Sequence, residues 1–306
     1  MHLLRRSMLS IADRPSVERL IRSDRVANRI VWRFIAGEDL ESAIKAVSEL
    51  AALGIPSTLD ELGENVTTEE EVQVAVDSAV TALNRLATAN LEPNISVKLT
   101  MLGLDLGDDV AKEHMVQILE AARAVKGFVR IDMESSAYVE RTMRIFEALH
   151  DRYPDEVGIV IQSYLLRARA DTERMIDRRA RVRLVKGAYA EPESVAYQQK
   201  SQIDLNYQWL MELLLERGNY PALATHDPKL IEAAKRFTAQ CEIGSDRYEF
   251  QMLYGVRRDE QQALVNQGYR MRVYVPYGTA WYPYFSRRIA ERPANAIFVL
   301  RQIVFG

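Results

Sequence analysis

Residues Asn94–Asp132 read NISVKLTMLGLDLGDDVAKEHMVQILEAARAVKGFVRID. A short apolar run, Asn94–Leu99, gives way to a helical segment over about Asp108–Val125, and a second short run follows at Phe128–Asp132. Short strand, amphipathic helix, short strand is one βα unit. The same alternation extends in both directions. Strand candidates lie at Pro56–Asp60, Val157–Gln162, Arg181–Val185, Pro221–Thr225, Tyr248–Leu253 and Met271–Pro276. Helical segments fall at Ser135–Leu149, Arg167–Arg179, Pro192–Arg217, Asp227–Ala239, Arg257–Asn266 and Trp281–Glu291. A further helix opens at Thr67, which is expected to form a capping box with Glu70.

Eight strands, each followed by a helix, predict an α/β fold, a (β/α)8 TIM-type barrel over residues 55–306. The spacing is roughly 31 residues per unit, the length of one βα repeat. A doubly wound sheet would call for a glycine-rich turn after its first strand. No GxGxxG or GxxxxGK occurs among the 14 glycines. Residues 1–54 read as an N-terminal helical segment: Pro15 suits a helix start, and Leu40–Leu53 shows helical spacing with Gly54 as its stop.

Composition narrows the function. Of 306 residues, 48% are hydrophobic and 27% charged, which excludes a disordered or fibrous chain. A net charge of −3 leaves no basic surplus for nucleic acid. A single cysteine, Cys241, excludes an internal disulfide and a thiolate zinc site, fits a reducing cytoplasm, and is expected to pack as a small buried hydrophobe. No apolar run is long enough to span a membrane, and Asp13, Arg14 and Pro15 interrupt any signal-peptide core.

Barrel enzymes place their chemistry at the C-terminal ends of the strands. Asp60 and Glu64, Lys98, Asp132, Gln162, Lys186, Thr225-His226-Asp227, Glu249 with Gln251, and Tyr274 stand at or near the eight predicted ends. Polar or ionisable groups at all eight favour an active site on that face. Arg183 and Lys186 would set two cations over one anionic or electron-accepting group if the strand ends at Val185, and Gly187 allows close backbone approach there; a salt-bridged barrel interior is the alternative.

In the last helix Tyr284, Arg287, Arg288 and Glu291 share one face. Adjacent arginines one turn after an aromatic suit capture of a small carboxylate. A surface helix with an Arg287–Glu291 pair is the plainer alternative. Trp281, Tyr282, Tyr284 and Phe285 argue against it, because four aromatics in five residues are seldom left in water; an oligomer or membrane contact would also cover them. The four histidines are scattered without metal-ligand spacing, and no serine sits in a nucleophile elbow.

RLVKGAY (183–189), ATH (224–226), EFQMLYG (249–255), YVPYG (274–278) and YFSRRIAERPAN (284–295) occur in that order. Together they closely resemble the bacterial monofunctional proline dehydrogenase family, over about residues 55–300. The resemblance implies an FAD-containing barrel that oxidises L-proline to Δ1-pyrroline-5-carboxylate, the first step of proline degradation, with electrons passed to a membrane quinone. It leaves room for a peripheral contact with the inner face of the cytoplasmic membrane. By matching position, Arg287 and Arg288 would hold the proline carboxylate with help from Lys98, and Tyr274, Tyr284, Leu253, Ala188 and Tyr189 would wall the ring. Asp132, Met133, Gln162, Arg183, Lys186, Gly187, Ala188, Thr225, His226 and Glu291 match flavin-side positions, and Glu64 a gate that pairs with the first arginine of the helix.

Amine oxidation needs the substrate C–H held over an acceptor, which two arginines on a carboxylate can arrange. A cation at Arg183 would stabilise a reduced, more anionic ring. Asp132 stands where it can affect amine deprotonation, or serve to orient Lys98 or Arg183. Two other readings stay open: a barrel aldolase or lyase with Lys98 or Lys186 as Schiff-base amine, and a non-enzymatic carboxylate binder.

Overall fold

The computed structural model describes residues 31–63 and 66–291, with side chains through Ser286. Eight strands close into a barrel: β1 Ser57–Glu61, β2 Asn94–Val97, β3 Phe128–Ile131, β4 Val157–Gln162, β5 Arg181–Val185, β6 Ala222–Ala224, β7 Glu249–Leu253 and β8 Met271–Tyr277. Every neighbouring pair is parallel, and β8 closes on β1 over the register Ser57↔Val273 to Glu61↔Tyr277. The helices are α1 Leu40–Ala52, α2 Glu69–Thr88, α3 Asp108–Ala124, α4 Ser136–His150, α5 Ala168–Asp177, α6 Lys200–Arg217, α7 Pro228–Gln240, α8 Arg258–Asn266 and α9 Trp281–Glu291. The expected (β/α)8 TIM-type barrel is the fold.

Alternation along the strands divides the molecule into two environments. One set of positions, including Leu59, Val97, Ile131, Ile161, Leu184 and Val273, packs against Val76, Leu83, Met115, Ile118, Phe146 and Leu210 of the helices. This layer is the hydrophobic core. The other set faces the barrel axis and is unusually polar: Thr58, Asp60, Ser96, Lys98, Arg130, Asp132, Arg183, Glu249, Gln251, Arg272 and Tyr274. Barrel interiors are more often filled by branched aliphatic side chains. Many of the interior groups bond one another, Thr58 Oγ1 with Ser96 Oγ of the neighbouring strand at 3.3 Å and Arg183 Nη1 across the barrel to the same Ser96 Oγ at 3.1 Å. Gly158 of β4 makes room for this packing, since a Cβ there would lie 2.5 Å from Arg130 Nη1.

Several local expectations shift. The capping box of α2 is Thr68 with Glu71, one residue on from Thr67 and Glu70. Thr68 has the extended backbone of an N-cap, and Glu71 Oε2 takes both Thr67 N at 2.9 Å and Thr68 N at 3.2 Å. The helix expected from Pro192 starts at Lys200. Before it, backbone groups pair with the loop after β4 (Leu166 N to Val195 O at 2.9 Å, Tyr197 N to Tyr164 O at 2.8 Å), which removes them from helical bonding. The strand expected to run to Leu99 ends at Val97, and Leu99–Leu102 form a 3₁₀ turn. Gly54 follows the C-cap of α1 at φ +74° as expected; its N–H reaches Ala51 O and that of Ile55 reaches Leu50 O.

Cys241 is exposed, not buried, because it is the C-cap of α7, where the chain turns away from the core. Glu249 is the first residue of β7, at the end of the barrel away from the βα loops.

The aromatic run of α9 builds a small second core. Trp281, Tyr282, Tyr284 and Phe285 pack with Val31, Ile35 and Leu62. Trp281 Nε1 donates to Glu38 Oε1 at 3.0 Å, Ala36 N to Pro276 O at 2.9 Å, and Gly278 N to Gly37 O at 3.0 Å. These contacts tie residues 31–38 to the start of α9, so the rings are covered within the chain. Pro15 and the segment before residue 31 lie outside the described residues, as does Glu64.

Candidate active site

At the C-terminal face the strand ends surround a cavity of about 600 Å³, within the range of small-molecule sites. It reaches from Asp60, Lys98 and Tyr284 to Lys200 and Asp227. Of the residues expected from sequence, Lys98, Asp132, Met133, Gln162, Arg183, Lys186, Gly187, Ala188, Tyr189, Thr225, His226, Leu253, Tyr274 and Tyr284 all line it. The backbone of α9 runs through Arg287, Arg288 and Glu291, whose side chains, like Glu64, lie outside the described residues.

Two buried ion pairs occupy one side. Lys98 Nζ meets Asp60 Oδ1 at 2.8 Å, and Arg183 Nη1 meets Asp132 Oδ1 at 2.7 Å. Tyr274 donates its hydroxyl to Asp132 Oδ2 at 2.8 Å. Arg183 is locked further, Nε donating to Gln251 Oε1 at 2.6 Å and Nη1 to Ser96 Oγ at 3.1 Å. A buried charge is tolerated only with such partners.

Titration follows from these contacts. Burial pushes Asp60 up, with Lys98 pulling it down and Asp132 adding to the rise; its Oδ2 has no hydrogen-bond partner. Burial works against the Lys98 charge, but Asp60 and Asp132 more than offset it and hold the ammonium above its ordinary range. Burial, then the Asp132 and Asp60 charges, raise Tyr274 well above a free phenol, so it remains a donor. Burial also raises Glu134, whose carboxylate takes Thr100 N at 3.2 Å and Thr100 Oγ1 at 2.6 Å. Gln162 Nε2 donates to Glu134 O at 2.8 Å.

The other side is built from loops. Lys186, just past the end of β5, reaches Asp204 Oδ1 at 2.6 Å and Asp227 Oδ2 at 3.0 Å, and Lys200 joins the same two carboxylates. Asp227 also caps α7, and its N–H donates to Thr225 Oγ1 at 3.1 Å. His226 Nε2 accepts from Leu253 N at 2.9 Å, which places that ring's proton on Nδ1 when neutral and ties the β6 loop to β7. Gly187 holds φ +114°, and a Cβ there would lie 2.2 Å from the Tyr164 ring.

A model of the family described as proline dehydrogenase matches residues 43–301. The chain belongs to the proline dehydrogenase family. Family relatives include proline dehydrogenase 1 of Bacillus subtilis, 44% identical over 272 residues, covering 89% of this chain and 90% of the relative. Proline dehydrogenase of Deinococcus radiodurans is 42% identical over 308 residues, with 99% of each chain covered. Among solved structures, proline utilization A from Bdellovibrio bacteriovorus superposes with a TM-score of 0.82 at 24% identity. It covers 99% of this chain and 38% of that longer one, and it bears on the fold alone.

Asp60 and Gln251 stand on predicted strands, but no sequence motif marks either as a site residue. The signal was parity. Asp60 and Gln251 point to the axis for the same period-2 reason as Lys98 and Arg183 do, and that becomes visible once the register Asp60↔Ser96 is known. Lys200 and Asp204 belong to α6 and reach the cavity only through the tertiary fold. Among the described residues, no group of three His, Cys, Asp or Glu is placed to hold a metal, and no helix is long and apolar enough to cross a membrane.

Proposed function

We propose that the protein oxidises L-proline to Δ1-pyrroline-5-carboxylate with bound FAD, as the first step of proline degradation, and passes the electrons to a membrane quinone. The observation that carries this reading is the buried Arg183 guanidinium, held by Asp132, Gln251 and Ser96 at the edge of the mouth cavity. The family membership supplies the substrate.

The residues present suit a flavin dinucleotide. The cavity is roomy and runs from the Lys98–Asp60 and Arg183–Asp132 ion pairs to loops rich in paired charges. When bound, the flavin supplies the two-electron acceptor. Arg183, Lys186, Gly187, Ala188, Gln162, Asp132, Met133, Thr225, His226 and Glu291 would hold it. Arg183, a fixed cation, favours negative charge developing nearby without reorganisation.

The substrate end follows from Lys98. Asp60 and Asp132 hold the Lys98 ammonium above its ordinary range, which disfavours the neutral amine that a Schiff base needs at this residue and suits Lys98 as a partner for a carboxylate. Lys98 with Arg287 and Arg288 would grip the carboxylate on one carbon of the proline ring. Tyr274, Tyr284, Leu253, Ala188 and Tyr189 would wall the rest, and Glu64 would close the site by pairing with Arg287. Gripping the carboxylate fixes which ring carbon is presented for oxidation. Asp132 already accepts one hydrogen bond on each oxygen, so it orients Arg183 and Tyr274 and is not assigned as the base for the amine proton.

Visible absorption of the purified protein, before and after adding L-proline without oxygen, tests the reading. A flavin spectrum that bleaches is expected. A protein that stays colourless and inactive after FAD is added overturns it.

A further inference from the structure

A line of hydrogen bonds runs along the barrel axis, from solvent at the end away from the βα loops to the mouth. Glu92, half exposed, meets Arg272 Nη2 at 2.9 Å. Arg272 Nε donates to Glu249 at 2.9 Å (Oε1) and 3.2 Å (Oε2). Gln251 Nε2 donates to Glu249 Oε1 at 2.5 Å, and Gln251 Oε1 accepts from Arg183 Nε at 2.6 Å. Arg183 then bonds Asp132, and Asp132 bonds Tyr274. Glu249 and Gln251 are two residues apart on one face of β7, about 6.6 Å along the strand.

We infer that Gln251, oriented by Glu249, is a positioning residue for Arg183 and so sets how that cation acts on the redox group in the mouth. The inference rests on the flavin reading above. An amide has a donor end and an acceptor end of the same shape, and either can turn toward a neighbour. An ionised carboxylate accepts only, so Glu249 draws the NH₂ end of Gln251 to itself. The carbonyl is left facing Arg183 Nε–H, which must have an acceptor. Were the amide reversed, two donors would meet at Arg183 and two acceptors at Glu249. Arg272 keeps Glu249 committed, with Tyr220 and the charge of Arg130 on the same side: burial alone would raise the Glu249 carboxyl, but Arg272 holds it below the ordinary range. Gln251 thus anchors the Nε edge of the guanidinium while Asp132 and Ser96 anchor Nη1, and the plane of the group is fixed.

Gln251→Met removes both ends of the amide without changing charge. In the flavin-loaded variant kcat should fall about ten-fold or more, the scale on which small misplacements act, while the proline KM stays within about two-fold, because the carboxylate clamp is untouched. The midpoint potential of the bound flavin should move negative, since the cation is no longer held. Crystals of the variant should show Arg183 displaced from Asp132 Oδ1. Should Gln251→Met fail to fold, Gln251→Asn retracts the same acceptor by one methylene and carries the same expectations. Wild-type kcat and potential in a folded, flavin-loaded variant would overturn the inference. So would an unmoved Arg183 in the variant crystal, with or without flavin. Failure of the flavin reading shows separately, as wild-type protein that neither carries nor takes up flavin.

Discussion

The Tyr274 hydroxyl donates to Asp132 Oδ2 at 2.8 Å, from β8 to the residue that follows β3, 142 positions earlier in the chain. The other oxygen of Asp132 is taken by Arg183, so one carboxylate joins three strands at the mouth.

Tyr274→Phe leaves one Asp132 oxygen without its donor in a largely buried site. We expect kcat/KM for proline to fall about ten-fold, equivalent to ~1.4 kcal/mol, and unfolding to become easier by about 1–3 kcal/mol. Steady-state kinetics and thermal melts check both; wild-type values for each would remove the bridge from any functional role.

Lys98→Met leaves the Asp60 carboxyl buried without its cation. Its folded pKa is already raised by burial and rises further in the variant. A raised carboxyl contributes stability below its unfolded pKa and loses it as pH climbs through the folded value. The deficit of the variant against wild type should therefore grow as pH rises above the ordinary carboxylate range. Denaturant melts from that range upward check it, and a constant deficit would contradict the assignment.

Arg288→Met should raise the proline KM roughly 100-fold, the factor that accompanies loss of a charge-assisted hydrogen bond of about 3 kcal/mol. Flavin should remain bound, as read by its visible spectrum. Unchanged kinetics would sink the carboxylate clamp.

Gly187→Ala places a Cβ 2.2 Å from the Tyr164 ring at a φ of +114°. The strain alone is worth about 1–3 kcal/mol, and the ring must move as well. A melting temperature equal to wild type would show that the loop after β5 relaxes freely.

Cys241, exposed at the end of α7, should react with a thiol reagent in the native protein at the rate of the unfolded chain. A native protein that reacts only on denaturation would restore the buried expectation.

The family resemblance and the eight strand ends were legible in the chain because both are local. Strand and helix periods show within ten to twenty residues, and RLVKGAY or YFSRR can be read without knowing what lies opposite. Even so, β2 was expected two residues too long, since the 3₁₀ turn at Leu99–Leu102 is as apolar as the strand before it.

Local pattern alone carries the alternation of periods, hence eight βα units, a polar side chain at nearly every strand end, and the aromatic face of α9. Pairing was settled only in the tertiary structure. Arg183 finds Gln251 across 68 positions, Lys98 finds Asp60 across 38, and Lys186 finds carboxylates on a helix and a loop. Glu249 stands at the start of its strand, away from the mouth, yet only the tertiary structure shows that Gln251 links it to Arg183. Closure of β8 on β1 sets one register for the whole barrel, and that register, together with strand parity, decides which charges share the dry axis and must neutralise one another there.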